Sequence, residues 1–106
     1  MINNKTVEDW IKNGIFFSRH SLDKMQYDKI TQEDIRNILL NGNIELSRAR
    51  QIDRRYAHNV QNHLHSELNG KVVVFCQSRE KGVLVISVFN GKPYTIPNAL
   101  WTNDVR

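Results

Sequence analysis

Residues 16–43 read FFSRHSLDKMQYDKITQEDIRNILLNGN and contain the start and the end of one complete helix. Thr31 is a residue type that accepts a backbone N–H at a helix start, and Glu33 and Asp34 follow where the positive end of the helix dipole favours acids. Gly42 is suited to end the helix in a left-handed conformation. The isoleucines and leucines between these signals recur every three or four residues, which predicts one buried stripe.

Two shorter helices are predicted before this one. Thr6 is the predicted cap of the first helix, and Gly14 is its predicted stop. Ser18 is the predicted cap of the second helix, where His20 and Lys24 share a face because they lie four positions apart. The chain therefore begins with two or three short helices.

The second half of the chain carries strand patterns. Residues 44–48 alternate between apolar and polar side chains, and Asn69-Gly70 is the strongest two-residue hairpin signal, lying between two extended runs. Residues 78–82 form a further turn signal before the valine-rich run 83–89. These patterns predict four antiparallel strands, and we expect the last two in the middle of the sheet, at least partly covered on both faces.

Length and composition indicate a single domain spanning residues 1–106, which is long enough for one hydrophobic core. We predict an α+β fold in which two or three short N-terminal helices, within residues 6–42, pack on a four-stranded antiparallel sheet within residues 44–90. An extended tail is expected over residues 91–106.

Charge and hydropathy narrow the expected partners and location. The chain has 15 Lys and Arg against 11 Asp and Glu, and this excess suits a polyanionic partner. No apolar run approaches the roughly 20 residues that cross a bilayer, and the N-terminal residues lack the apolar core of a signal peptide. We therefore expect a cytoplasmic protein with no membrane partner. The single cysteine, Cys76, lies in an apolar run, which predicts a buried thiol.

Short motifs along the chain resemble a family of small proteins known as domain of unknown function DUF4258. The resemblance covers residues 16–89. It is carried by His20-Ser-Leu-Asp-Lys24-Met25, by Lys29-Ile30-Thr31, by Glu33-Asp34-Ile35 and by Val85-Ile86-Ser87-Val88-Phe89.

The resemblance implies a fold similar to that of the barnase, EndoU, colicin and RelE-like superfamily, in which many members are metal-independent ribonucleases and toxins. It also implies that Ser87 faces the active site and binds a phosphate oxygen. A toxin of this type implies an antitoxin or immunity protein as its partner. The chain departs from the family pattern in having Lys24 where Arg is usual and Ser87 where Thr is frequent.

The histidines are candidates for proton transfer. A ribonuclease of this kind makes the ribose 2′-hydroxyl attack the neighbouring phosphate, which requires a proton acceptor, a proton donor and positive charge. His63 and His65 lie about 6.6 Å apart along one side of a predicted strand, and histidine serves both proton roles near neutral pH. The alternative is structural, with His20 packing a helix and the other two on the polar outer face of an edge strand. The predicted catalytic residues are His20, His63, His65 and Ser87.

Basic and aromatic side chains are candidates for RNA contact. Arginine binds phosphate through paired N–H groups, and an interleaved tyrosine can stack a base. The alternative is a solvated loop, balanced in part by Asp53. The predicted RNA- and phosphate-binding residues are Lys24, Arg48, Arg54, Arg55 and Tyr56.

A metal site is a third interpretation of the histidines. The row His63, His65 and Glu67 has a spacing that metal sites use, but the spacing alone is weak and no cysteine pair accompanies it. We therefore predict no metal and no other cofactor.

The predicted function is a metal-independent endoribonuclease toxin that cleaves mRNA or tRNA, either free or on the ribosome. The alternative is a non-enzymatic binding or inhibitor module, encoded by a phage or plasmid, on the same scaffold. Fold does not decide between them, because active sites are grafted onto scaffolds and can be lost. The replacements Lys24 and Ser87 are the sequence features that best agree with the alternative.

Overall fold

A computed structural model describes residues 2–46 and 63–91. Within these ranges the chain forms three helices and five strands, so the predicted α+β class is confirmed. In chain order they are α1 (Asn4–Ile11), β1 (Ile15–Phe17), α2 (Arg19–Asp28), α3 (Gln32–Asn41), β2 (Asn43–Leu46), β3 (Leu64–Leu68), β4 (Lys71–Gln77) and β5 (Val83–Asn90).

The described strands form one mixed sheet in the order β1-β5-β4-β3-β2. β1 runs parallel to β5, and the other neighbours are antiparallel. The sheet thus has one strand more than the four predicted, and it is not purely antiparallel. β1 has three residues, too few to show the alternation of apolar and polar side chains that predicts a strand. Backbone hydrogen bonds to β5 at both ends of β1 hold the pairing. Val83 N–H donates to the Gly14 carbonyl at 2.9 Å, and Ser18 N–H donates to the Val85 carbonyl at 3.0 Å.

The helix starts are set by capping side chains. Thr31 and Asp34 form a reciprocal capping box at the start of α3, which confirms the predicted cap. For α1 the predicted cap Thr6 is wrong, because the Asn3 side chain accepts the Thr6 N–H at 3.0 Å and the helix begins at Asn4. Asparagine is as good a cap as threonine, and here it lies three residues earlier.

Gly42 ends α3 in an extended conformation, with φ −77° and ψ 173°, so the left-handed stop predicted for it is wrong. The reason for glycine is space. A Cβ at this position would lie 2.5 Å from the Ile38 carbonyl oxygen and 2.8 Å from that of Glu67, and it would also meet Ser66 Oγ. The end of α3 therefore lies against β3 at a distance that only glycine allows.

Both predicted hairpin turns are present. Asn69 and Gly70 have φ angles of 54° and 81°, the left-handed pair that a two-residue hairpin requires. Residues 78–82 connect β4 to β5. β4 lies between β3 and β5 and its five middle residues are all buried, which confirms the prediction of a strand covered on both faces.

The hydrophobic core lies between the helices and one side of the sheet, named here the first face. α1 and α3 are tied together by Asn4, whose amide donates to the carbonyls of Leu39 and Gly42, each at 3.0 Å. Ser66 on β3 is buried, and its hydroxyl donates to the Ile38 carbonyl at 2.6 Å. The core side chains include Val7, Ile11, Met25, Ile35, Leu39, Val73, Phe75, Val85 and Val88.

α2 packs along β5. The Ser18 hydroxyl donates to the Ile86 carbonyl at 2.9 Å, and the Asn90 amide donates to the Asp28 carbonyl at 3.3 Å. Because these bonds hold both ends of the helix, α2 is fixed against β5. None of the described helices is long and apolar enough to cross a membrane.

The other side of the sheet, named here the second face, carries the side chains that alternate with the core. Val72, Val74 and Cys76 of β4 are buried on this face. Burial raises the pKa of the Cys76 thiol, as expected for a structural cysteine. The polar side chains of the second face come from β2, β3 and β5, and they include Glu45, His65, Glu67 and Ser87.

Candidate active site

One row of paired residues crosses the second face. Glu45 on β2 is the Cα partner of His65 on β3, His65 is the partner of Val74 on β4, and Val74 is the partner of Ser87 on β5. Side chains of directly paired residues point to the same face of a sheet. The row therefore places a carboxylate, an imidazole and a hydroxyl on one surface, with a valine between the imidazole and the hydroxyl.

Two carboxylates flank His65, and each is held by a hydrogen bond. The Asn43 amide donates to Glu45 Oε2 at 3.1 Å. The Gly70 N–H donates to Glu67 Oε2 at 2.9 Å, which engages Glu67 with the β3–β4 turn. Both side chains are partly buried, so their charges act on His65 through a medium less polar than water.

His65 is 6% exposed. Burial lowers its pKa, and although the charges of Glu45 and then Glu67 oppose this, the pKa stays below its ordinary value of 6.5. The imidazole is therefore neutral at neutral pH, and a neutral imidazole has a ring nitrogen that can accept a proton. Chemically, His65 is suited to the role of base.

His63 directly precedes β3 and is partly exposed. Because His63 lies just outside the strand, its place on the same side as His65 stays a prediction. The structural alternative of an edge strand is wrong, because β3 lies between β2 and β4.

Ser87 lies at an irregularity in the pairing of β4 with β5. Val74 pairs with Ser87 whereas Phe75 pairs with Val85, so Ile86 is an extra residue. An extra residue of this kind bends a strand and redirects its side chains. Ser87 is partly exposed on the second face, in the same row as His65.

His20 and Lys24 lie on α2, apart from this row. His20 is exposed in the first turn, on a helix that packs against β5. β4 separates β5 from β3, which puts the strand of His65 roughly 10 Å beyond β5. Lys24 Nζ lies 3.1 Å from Asp28 Oδ2 and 5.4 Å from the ring centre of Tyr27. The structure thus places His65 and Ser87 in one row of the second face, on strands separated by β4, and His63 directly before the strand of His65. His20 lies on a helix that packs on the first face.

Several predicted RNA-binding residues lie outside the described residues, namely Arg48, Arg54, Arg55 and Tyr56. Within residues 2–46 and 63–91, no group of three His, Cys, Asp or Glu side chains could hold a metal ion. A separate open cleft of about 320 Å³ lies on the helical side of the molecule and contains none of the predicted site residues. It is lined by Glu8, Ile11, Lys12, Arg36 and Leu40.

Glu45 was not among the residues predicted for the site. The alternation of residues 44–48 puts Glu45 on the polar side of its strand, but nothing local shows which strand pairs with it. Its place opposite His65 follows from a pairing between residues 20 positions apart in the chain.

Comparison with known proteins identifies the family. The model of the domain of unknown function DUF4258 matches residues 17–90. No curated protein and no solved structure matches the chain. The match spans more than half of the sequence, and the chain belongs to the DUF4258 family.

Proposed function

We propose that this member of DUF4258 is a metal-independent endoribonuclease of toxin type, which cleaves mRNA or tRNA at a site on the second face of the sheet. The observation that carries the proposal is the row formed by Glu45, His65 and Ser87, with His63 two positions from His65. The family carries no activity by its description, so the proposal rests on this geometry and on the chemistry of the side chains.

The proposed reaction uses the ribose as its own nucleophile. Neutral His65 takes the proton of the 2′-hydroxyl, and the 2′-oxygen forms a bond to the adjacent phosphorus. The bond between phosphorus and the 5′-oxygen breaks, and protonated His63 gives its proton to that oxygen. The products are a 2′,3′-cyclic phosphate and a 5′-hydroxyl, and no metal or outside reactant enters. Positioned proton transfer of this kind typically contributes about 10²–10⁴-fold to a rate.

Phosphate contacts complete the proposal. Ser87 is in the row of His65 and offers a hydroxyl to a phosphate oxygen. Lys24 and Tyr27 belong to α2, which packs on the first face, so the proposal gives them contacts to RNA away from the cleaved phosphate: Lys24 offers a positive charge, and Tyr27, 81% exposed, presents a ring to a base. Placement within the barnase, EndoU, colicin and RelE-like superfamily, action in the cytoplasm, and control by an antitoxin or immunity protein belong to the same proposal.

The second candidate is a binding module without activity. It is favoured by the exposed side chains of α2, where Leu22 is 47% and Tyr27 81% exposed, and by the position of His20 away from the other described histidines. A helix that shows apolar side chains to solvent is a surface on which a protein partner can bind.

Cleavage of total RNA by the purified protein in EDTA tests the proposal. We expect discrete fragments that end in 2′,3′-cyclic phosphate, and their loss in His65→Gln and in His63→Ala. His20→Ala is the matched histidine variant on α2, and a 2′-deoxy substitution at the cleaved nucleotide controls for the nucleophile. Each variant is checked for a cooperative thermal transition, because His65 is buried.

Intact RNA at high protein concentration, or full activity in His65→Gln, would contradict the proposed site. In the first case, isolation of the complex formed on α2 tests the binding module. Variants Leu22→Ser and Tyr27→Ser would then lose the partner while folding normally.

A further inference from the structure

Glu45 and Glu67 are the two carboxylates near His65, and they differ in their distance from it. Glu45 is directly opposite His65, where Cβ atoms of paired residues lie about 4.5–5.5 Å apart. Glu67 lies on the same strand as His65, two residues further on, at about 6.6 Å. Of the two carboxylates, Glu45 therefore has the shorter reach to the imidazole.

The two carboxylates also differ in what holds them. Glu67 accepts the Gly70 N–H in the β3–β4 turn, so its carboxylate serves the hairpin. Glu45 accepts the Asn43 amide from two residues earlier on its own strand, which fixes the carboxylate beside the row rather than at a turn.

We infer that Glu45 is a positioning residue for His65: it orients the imidazole and stabilises the positive charge that forms when His65 takes a proton from RNA. The inference rests on the proposed ribonuclease function. A buried imidazole that gains a proton gains a charge in a medium of low polarity, and such a charge is costly unless an opposite charge lies close to it. Glu45 supplies that charge before the reaction begins, so no rearrangement is needed during proton transfer.

Among the described residues, the charged groups that act on His65 are Glu45 from β2 and Glu67 from its own strand, and the titratable His63 lies two residues before it. On β4 its neighbour is Val74, and beyond Val74 the row ends at the uncharged Ser87. An exchange of either glutamate for glutamine removes one negative charge and almost no volume. The two variants are therefore matched controls for each other.

The experiment compares single-turnover cleavage by the wild type, Glu45→Gln and Glu67→Gln across pH. We expect Glu45→Gln to slow cleavage about 10²-fold, at the lower end of what a positioned proton transfer contributes. We expect Glu67→Gln to stay within about threefold of the wild type, since only the more distant charge is lost. The acidic limb of the pH profile should move to lower pH in Glu45→Gln, and Glu45→Asp should recover part of the rate because it retains the carboxylate.

A second readout needs no RNA. The titration of His65 followed by NMR should move to lower pH in Glu45→Gln by more than in Glu67→Gln. A role limited to holding β2 on β3 would lower the thermal midpoint and leave this titration unchanged.

The outcomes separate the inference from the function on which it rests. If the wild type cleaves RNA, His65→Gln is inactive, and the two glutamine variants have equal rates and titrations, the inference is wrong and the ribonuclease stands. If the wild type leaves RNA intact, the proposed function fails and the inference fails with it. A slow Glu45→Gln variant with a shifted pH profile supports both.

Discussion

Glu45 and His65 are paired across β2 and β3, so a carboxylate faces a buried imidazole on the second face of the sheet. β2 follows α3, and β3 begins at Leu64. The negative charge of Glu45 favours a proton on His65, which makes this buried histidine a candidate base. Ser87 lies in the same row on β5. The consequences for stability, packing and RNA binding can each be measured.

His65 should make the domain less stable in mild acid. In the folded protein its pKa is below the ordinary value of 6.5, which we take for the unfolded chain. The unfolded chain therefore binds the proton more tightly than the folded protein does. This contribution to stability is present above pH 6.5 and is lost as the pH falls through the folded pKa. Thermal midpoints measured from about pH 8 to pH 5 should fall less in His65→Gln than in the wild type. The exposed His20→Gln variant should follow the wild type, and equal slopes in all three proteins would contradict the prediction.

Gly42→Ala should destabilise the fold by about 1–3 kcal/mol, the usual range for forcing an extra group into a packed site. The added methyl would meet Ser66 Oγ and the carbonyl oxygens of Ile38 and Glu67. Urea unfolding measures the loss. In a Ser66→Ala background the cost of Gly42→Ala should decrease, because one of the three obstructing atoms is absent. Strictly additive effects would show that the close approach to Ser66 is not the cause.

Lys24 should contribute one phosphate contact if α2 binds RNA. The slope of log K against log salt concentration should become shallower by about 0.7–0.9 in Lys24→Gln, as expected for one lost contact. Lys5→Gln, an exposed lysine of α1, is the matched charge control and should leave the slope unchanged.

Asp28→Asn tests the same lysine from the opposite direction. Lys24 Nζ lies 3.1 Å from Asp28 Oδ2, so if Lys24 binds RNA, the carboxylate competes with phosphate for the ammonium group. Affinity for a single-stranded oligonucleotide should rise in Asp28→Asn and return to the value of Lys24→Gln in the double variant. A double variant that binds as well as Asp28→Asn alone would show that Lys24 does not contact RNA.

The capping box of α3 should be worth about 1 kcal/mol, the typical cost of replacing a threonine cap by alanine. Asp34 N–H donates to Thr31 Oγ1 at 3.0 Å, and Thr31 N–H donates to Asp34 Oδ2 at 2.9 Å. We expect Thr31→Ala to lower the urea midpoint, whereas Gln32→Ala, an exposed neighbour, should not.

Asp34 of the same capping box should make the stability of the domain depend on pH in strong acid. The Thr31 backbone and side-chain hydrogen bonds, with a smaller effect of Lys71, hold the pKa of Asp34 below 3.8. Its contribution to stability is therefore present above pH 3.8 and is lost as the pH falls through the folded pKa. In Asp34→Asn, which removes the titrating carboxyl group, this acidic loss should disappear, and an unchanged acid profile would contradict the assignment to Asp34.

The local signals of the sequence determined α2, α3 and the Asn69-Gly70 turn, because a capping side chain or a left-handed residue acts on its own few neighbours. They misplaced the start of α1 by only a few residues, since Asn3 and Thr6 are both good caps.

Only the tertiary structure decided which strands meet. The three residues of β1 carry no pattern of their own, and their parallel pairing with β5 depends on bonds between residues almost 70 positions apart. The extended backbone at Gly42 and the burial of His65 also depend on tertiary contacts, because Gly42 packs against β3 and β3 lies between β2 and β4. Glu45 faces His65 because β2 packs beside β3, and the register between two strands distant in sequence is set by the faces they bury together rather than by either strand alone.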